Sequence, residues 1–201
     1  MIVTKTEAVT KTKYKVFIDE QFAFVLYKGE LSRYHIAEGM EIEREIYEKI
    51  RTEVILKRAK LRALHLLNDM GRTEEQLRTK LKLGNYPEDI VENAIDYVKS
   101  FGYINDAAYA RNFIESRKDK KSKKELYALL CQKGIKNDEI EAAFEECYEC
   151  EDSKAAIERI LRKKKYDPDT ADQVETRKIL GYLTRKGFRY EDIRQVIHVY
   201  E

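Results

Sequence analysis

The chain has 201 residues, 38% of them charged, with only eight glycines and two prolines; so few turn formers exclude a fold of many short strands and tight turns and predict a mostly helical protein. Thirty-nine Lys and Arg against 37 Asp and Glu leave a net charge of +2. That is too little for whole-molecule steering of a polyanion, although local patches act separately beyond a Debye length of about 8 Å.

In chain order, the opening MIVTKTEAVTKTK has no apolar block of a secretion signal, and no later run approaches the about twenty apolar residues of a membrane span. A cytoplasmic protein without membrane contact is expected. Tyr14, Val16 and Ile18 alternate with Lys13, Lys15 and Phe17, Asp19-Glu20-Gln21 interrupts, and Phe22 to Leu26 follow, which predicts one β-hairpin. A further stretch, Leu31 to Ile36, is a candidate third strand. Residues 1–38 thus read as an N-terminal hairpin appendage, whose removal should leave the helical part folded. From Glu41 the period becomes helical: Ile42, Ile46, Ile50 and Val54 recur every four residues, and the stripe continues through Ala59, Ala63, Leu66 and Met70. Residues 39–53 read as a connecting helix.

Capping chemistry marks later helix starts. Thr73 with Gln76, Ser122 with Glu125 and Thr170 with Gln173 have the spacing at which a hydroxyl and a side chain satisfy each other's orphan N–H groups. Pro87 and Pro168 suit first-turn positions. An internal repeat organises these helices. With Gly84, Gly134 and Gly187 in register, Leu77, Tyr127 and Leu180 align before them, and Ile90, Ile140 and Ile193, then Ala94, Phe144 and Ile197, align after them. Each glycine is expected to be left-handed at a helix C-terminus. Preceding helices at roughly 54–70, 106–118 and 152–165 complete three copies of a three-helix unit, at 54–104, 105–149 and 150–201. Such self-similarity signals stacked modules.

Three basic clusters are candidate polyanion contacts: Lys57, Arg58, Lys60 and Arg62; Arg117, Lys118, Lys120, Lys121, Lys123 and Lys124; and Arg162, Lys163, Lys164 and Lys165. The simpler alternative is a solvated face, or basic side chains complementing helix C-termini. Tyr109, Tyr127 and Tyr166 lie near these clusters and are candidates for base stacking, with core packing the commoner role of such tyrosines. Residues 138–152 carry eight acidic residues and no basic one, which suits the outer face of a helix built on Ile140, Ala143, Phe144 and Cys147, or a basic partner surface. Cys131, Cys147 and Cys150 are an odd number and are expected to be reduced thiols. Cys147-Tyr148-Glu149-Cys150 lacks the second pair a zinc site needs, since only Cys131, His35, His65 and His198 remain, and it lacks a thioredoxin-like setting. His65, between Leu64 and Leu66, reads as a packed or surface side chain. No nucleophile with a paired base, phosphate-binding glycine loop or metal-binding helix motif is present in the sequence, so neither catalysis nor a cofactor is expected.

The segments Ala63-Leu64-His65-Leu66-Leu67, Gly71-Arg72-Thr73-Glu74-Glu75-Gln76-Leu77, Gly102-Tyr103-Ile104-Asn105-Asp106 with Tyr109, Ala110 and Arg117, and Leu130-Cys131-Gln132-Lys133-Gly134-Ile135 together resemble the RecX family over about residues 54–200. Gln76-Leu77 departs from the family's usual Glu-Leu. The resemblance implies a monomeric, non-enzymatic modulator of the RecA recombinase, made of three tandem three-helix repeats in an elongated, curved array. It further implies lodging in the groove of the RecA–DNA filament, inhibition of strand exchange and ATP hydrolysis, a place in recombination and the SOS response, and weak, non-specific contact with single- and double-stranded DNA. The alternative is an autonomous helical DNA-binding protein acting without RecA.

Overall fold

Strand-forming sequence at the N-terminus builds three strands, one more than the apolar alternation marks. In the computed structural model, which describes residues 1–197, β1 (Val3–Ala8), β2 (Lys13–Ile18) and β3 (Gln21–Tyr27) form an antiparallel sheet in that order. The strand missing from the sequence pattern is β1, an edge strand in which only Val3 is buried, so it carries no apolar face to read. Asp19 and Glu20, at φ 46° and 67°, make the two-residue left-handed turn that suits the twist of a hairpin. The expected third strand around Leu31 to Ile36 is instead the second half of a helix, α1 (Lys28–Arg33), and the turn that follows it. There the Tyr27 N–H donates to the Glu30 carboxylate at 2.8 Å, closing a helical turn.

The helix that follows runs unbroken through α2 (Arg44–Lys49), a π-helical segment (Ile50–Leu56) and α3 (Lys57–Asp69). A π segment bonds i to i+5 and so adds a residue per turn. The four-residue stripe is therefore displaced by one: Ile55, 1% exposed, follows Ile50 into the core, and Ala59, Ala63 and Leu66 continue it. Val54 is only half-buried, and Met70 lies exposed beyond the helix end.

Three helical triplets follow the repeat. They are α3 with α4 (Glu74–Leu83) and α5 (Glu88–Ser100); α6 (Asp106–Glu115), α7 (Lys123–Gln132) and α8 (Asn137–Cys147); and α9 (Cys150–Lys164), α10 (Gln173–Arg185) and α11 (Tyr190–Ile197). The Thr73 hydroxyl accepts from Gln76 N–H at 3.3 Å and the Gln76 side chain accepts from Thr73 N–H, as the spacing predicts. Ser122 also caps its helix, accepting from Glu125 N–H at 3.1 Å. The third cap is Asp172, which accepts from Glu175 N–H at 2.7 Å, not Thr170. Pro168 lies in the turn before α10 and Pro87 is the residue preceding α5, so neither occupies a first helical turn.

The glycine register also shifts in the first triplet. Gly134 and Gly187 have φ of 80° and 86°, as a C-terminal left-handed cap requires. Gly84 has φ −78°, and the left-handed residue is Asn85, at 58°; asparagine tolerates this conformation because its short polar side chain bonds locally. With Asn85, Gly134 and Gly187 aligned, the second helices bury Leu77 and Leu81, Leu126 and Leu130, and Ile179 and Leu183. The third helices bury Val91 and Ile95, Ile140 and Phe144, and Ile193 and Ile197. Tyr127 and Leu180, aligned from the sequence alone, are half-buried neighbours of these positions.

The chain divides into two compact units, Met1–Ile104 and the segment from Asn105 on. In the first, Val16, Phe24 and Leu26 of the sheet belong to one apolar cluster with Ile50, Ile55, Ala59 and the buried residues of α4 and α5. The N-terminal sheet therefore shares the first triplet's core. It is stitched on by β1, whose Val3 N–H donates to Met40 C=O at 2.9 Å and whose Val3 C=O accepts from Gly39 N–H at 2.8 Å. In the second unit the two triplets keep separate apolar clusters.

Arg78 of α4 gathers charge in the first unit: it reaches Glu92 at 2.8 Å, Glu74 at 2.7 Å and Glu75 at 2.8 Å. Its hydrogen bond holds the Glu92 carboxyl below the usual range, and Lys99, then Arg78, do the same for Glu74.

Two predictions follow from this core. Deleting residues 1–38 removes seven core side chains, Val3, Val16, Ile18, Ala23, Phe24, Leu26 and Ile36, of which all but Ala23 are worth about 1.5–3 kcal/mol each when buried, against a typical domain stability of about 5–15 kcal/mol. Hydrogen exchange of the truncated chain should show protection lost through residues 42–104 and retained from 105 on. Because the Glu74 and Glu92 pKa values are lowered on folding, their stabilisation is complete above the ordinary glutamate value of about 4.3 and is lost as pH falls through the lowered folded values. Arg78→Ala should cost about 1 kcal/mol at neutral pH, and urea titrations below pH of about 4 should show a shallower acid loss than in the parent.

Candidate nucleic-acid interface

A basic side chain can hold a phosphate only if its charge is not already taken, so the three clusters separate by what each cation touches. On α3, the Arg58 guanidinium donates to Val25 C=O at 3.1 Å, pairs with Glu30 and lies 4.6 Å from the centre of the Tyr27 ring. It ties the sheet to the helix. Lys60 lies over Tyr97 at 4.5 Å. Lys57 and Arg62 are exposed. The four do not share a face, since helical geometry turns each residue by about 100°; Arg58 and Arg62 point one way, Lys57 and Lys60 another.

The second cluster spans the loop from α6 to α7, and half of it is internal. Lys118 donates to Cys147 C=O at 2.9 Å, where α8 ends, and lies 3.4 Å from Asp152 in the first turn of α9. Desolvation pushes its ammonium down, but Glu115 and Asp152 more than offset this and hold its pKa above the ordinary lysine value. Arg117 stacks on Phe113 at 4.1 Å, and Lys121 pairs with Glu125. Lys120, Lys123 and Lys124 are exposed; Lys120 lies 3.5 Å from Asp119, and Lys123 lies over the Phe144 ring.

The third cluster ends α9, where Arg162, Lys163 and Lys164 face the negative end of the helix dipole. All four residues are exposed. Lys164 lies 4.0 Å from the centre of the Tyr182 ring, and Lys165 closes the helix in the left-handed region at φ 54°. Arg162, Lys163 and Lys165 make no ion pair among the described residues.

The loop that carries the second cluster is tied to the helix that carries the third. Arg159 of α9 reaches Asp119 at 2.6 Å, which sets the α6–α7 loop one turn before Arg162 and Lys163 on the same face of α9. Beyond them, a cleft of about 630 Å³ is lined by Lys163, Lys165, Lys178 and Arg185 with Tyr166 and Tyr182, and by two carboxylates, Asp167 and Glu175. The sequence clusters omitted Arg159, Lys178 and Arg185. For the last two the signal was the helical spacing of Lys178, Tyr182 and Arg185 on α10.

The candidate stacking tyrosines are engaged in packing. Tyr109 and Phe113 stack at 6.3 Å, Tyr127 and Phe144 at 6.3 Å, and the Tyr166 hydroxyl lies 3.1 Å from that of Thr176. The acidic stretch divides between two helices: Asp138, Glu139, Glu141, Glu145 and Glu146 lie on α8, over buried Ile140, Ala143 and Phe144, with Glu146 paired to Arg111, and Glu149, Glu151 and Asp152 stand at the start of α9, with Asp152 paired to Lys118. Cys147 ends α8 and Cys150 begins α9. Burial, Glu115 and Glu146 push the Cys147 thiol up, away from the thiolate that redox exchange requires. His35 and His65 are exposed, and His198 lies outside the described residues.

Comparison with known proteins places these helices. Models of the first, second and third three-helix domains of RecX match residues 59–97, 105–143 and 151–197. The regulatory protein RecX of Caldanaerobacter subterraneus subsp. tengcongensis is 32% identical over 189 residues, covering 94% of this chain and 93% of its own. That of Clostridioides difficile is 27% identical over 203 residues, covering 98% and 94%. A crystal structure of regulatory protein RecX superposes with a TM-score of 0.65 at 24% identity, covering 98% of this chain and 99% of that one. RecX from Lactobacillus salivarius gives 0.60 at 25% identity, covering 71% and 94%.

The division between internal and exposed lysines is measurable. Lys118→Ala leaves the Cys147 carbonyl and Asp152 without their cation and should lower stability by about 1 kcal/mol, whereas Lys120→Ala should stay within about 0.5 kcal/mol of the parent in the same denaturant titration.

Proposed function

The chain belongs to the RecX family, and from that premise we propose that it binds the RecA recombinase filament on DNA and inhibits its ATPase and strand-exchange activities by binding, without chemistry of its own. The observation that carries this is the match of all three RecX three-helix domains, in order, to the helical triplets. That the relatives are named regulatory proteins supports action on another protein. The exposed cations support a second contact. Lys57, Arg62, Lys120, Lys123, Lys124, Arg162, Lys163 and Lys165 are the members of the three clusters proposed to meet phosphate, with Lys178 and Arg185 added. Arg58, Arg117, Lys118 and Lys121 are assigned to holding the fold, and Lys60 and Lys164, at 4.5 and 4.0 Å from a ring centre against 5.1 Å for Lys123, to ring packing.

Such contacts are electrostatic and blind to sequence, because lysines on helix ends meet phosphates without reading base edges. The second reading, a DNA-binding protein acting without RecA, rests on the helix pairs α4–α5, α7–α8 and α10–α11, which resemble helix-turn-helix pairs in their short turns.

Titrated against RecA on single-stranded DNA, the protein should lower the ATPase rate. No change at saturation would overturn the proposal, and recombinase-independent binding that prefers one sequence would favour the second reading. Arg162→Gln with Lys163→Gln should reduce the slope of log affinity for DNA against log salt by about 1–2.

A further inference from the structure

We propose that a cleft in the first unit docks an acidic, amphipathic segment of a partner protein. The cleft, about 540 Å³, lies between the β1–β2 turn, β3, one face of α3 and the turn from α4 to α5. Its floor is helical: Arg58, Leu61, Arg62 and His65 stand at i, i+3, i+4 and i+7 on α3, on a face beside that of buried Ala59, Ala63 and Leu66. Three large apolar side chains remain open to water in its walls, Leu83 at 71%, Leu61 at 52% and Val9 at 42% exposure. Apolar groups gathered around one concavity mark a place where another surface is buried.

Charge names the occupant. Lys13 and Arg62 bring positive charge to the cleft, beside Arg58, which is paired with Glu30, and no carboxylate lines it, whereas the clefts of the second unit carry Glu149 and Asp192, or Asp167 and Glu175. An anionic ligand is therefore matched here. The cleft favours a peptide over a nucleic acid, because bases bind by stacking on open aromatic faces and both rings in the lining are engaged: Tyr27 has Arg58 at 4.6 Å and Lys13 at 5.3 Å from its ring centre, and Tyr86 packs half-buried against the first unit's core. An amphipathic segment would place leucine-sized side chains between Leu61 and Leu83 and its carboxylates against Arg62 and Lys13. The proposal is independent of the RecA assignment: a protein that fails to alter the ATPase can still bind such a segment, and the reverse.

The test is fluorescence anisotropy with the full chain and three fluorescein-labelled probes: an acidic peptide of about fifteen residues with leucines at helical spacing, the same peptide with serine for leucine, and an oligothymidine. The leucine peptide should saturate, and the serine peptide should bind at least about tenfold more weakly. Arg62→Glu and Leu83→Ser, both at exposed positions, should each weaken the leucine peptide at least about tenfold. Lys80→Glu, on the exposed surface of α4 outside the cleft, should leave it unchanged. Circular dichroism of each variant verifies that the helices persist. No saturable binding by the parent, equal binding of the two peptides, or indifference to both cleft substitutions would overturn the proposal. So would an oligothymidine that binds the parent more tightly than the leucine peptide and loses that affinity in Leu83→Ser.

Discussion

Each helical triplet depends on one backbone conformation, the left-handed residue that ends its second helix. At Asn85, Gly134 and Gly187 the chain reverses so that two apolar pairs face each other, Leu-Leu or Ile-Leu on the second helix and a β-branched residue with Ile or Phe on the third. Short helices of about ten residues have little stability alone, so the pairs meet only if the turn holds this geometry. Gly187 adds a steric demand, because a Cβ there would lie 2.9 Å from Cβ of Lys124 and 3.1 Å from the Ser122 hydroxyl. That hydroxyl also donates to Lys186 C=O at 2.6 Å. The same turn that organises the third triplet thus seats it on the start of α7 in the second.

Polar contacts join the two triplets of the second unit where apolar ones do not. Their apolar clusters are separate, and Ser122 with Lys186, Lys118 with Asp152 and Arg159 with Asp119 cross between them. The first unit is built differently, with sheet, π segment and triplet sharing one core. The high charged fraction serves both ends of this scheme. Small modules expose much surface per residue and need polar covering, and part of that charge is used to bind element to element. The +2 balance consequently says little about polyanion contact, since Arg58 and Lys118 are engaged inside the fold while Arg162 and Lys163 are open.

Helix type, the three triplets and their caps were legible because capping and periodicity are local: Thr73 and Ser122 bond residues three positions away. The displaced features have equally local causes that composition does not display. A π segment shifts a stripe by one residue with no glycine or proline to announce it, asparagine replaces glycine at Asn85, and Asp172 offers a better acceptor than Thr170. The edge strand β1 was invisible because a solvated strand has no apolar period.

By itself the sequence determined which helices build the three related triplets and which family they resemble, since each depends on contacts within a few residues or on repeated spacing. Only the tertiary structure decided which cations are available. Whether a lysine meets water, a carbonyl or an aromatic ring depends on groups far away in the chain, as Lys118 with Cys147 and Arg58 with Val25 show. The N-terminal sheet's place in the first unit's core was decided the same way, by packing between segments whose separation in sequence hides their contact.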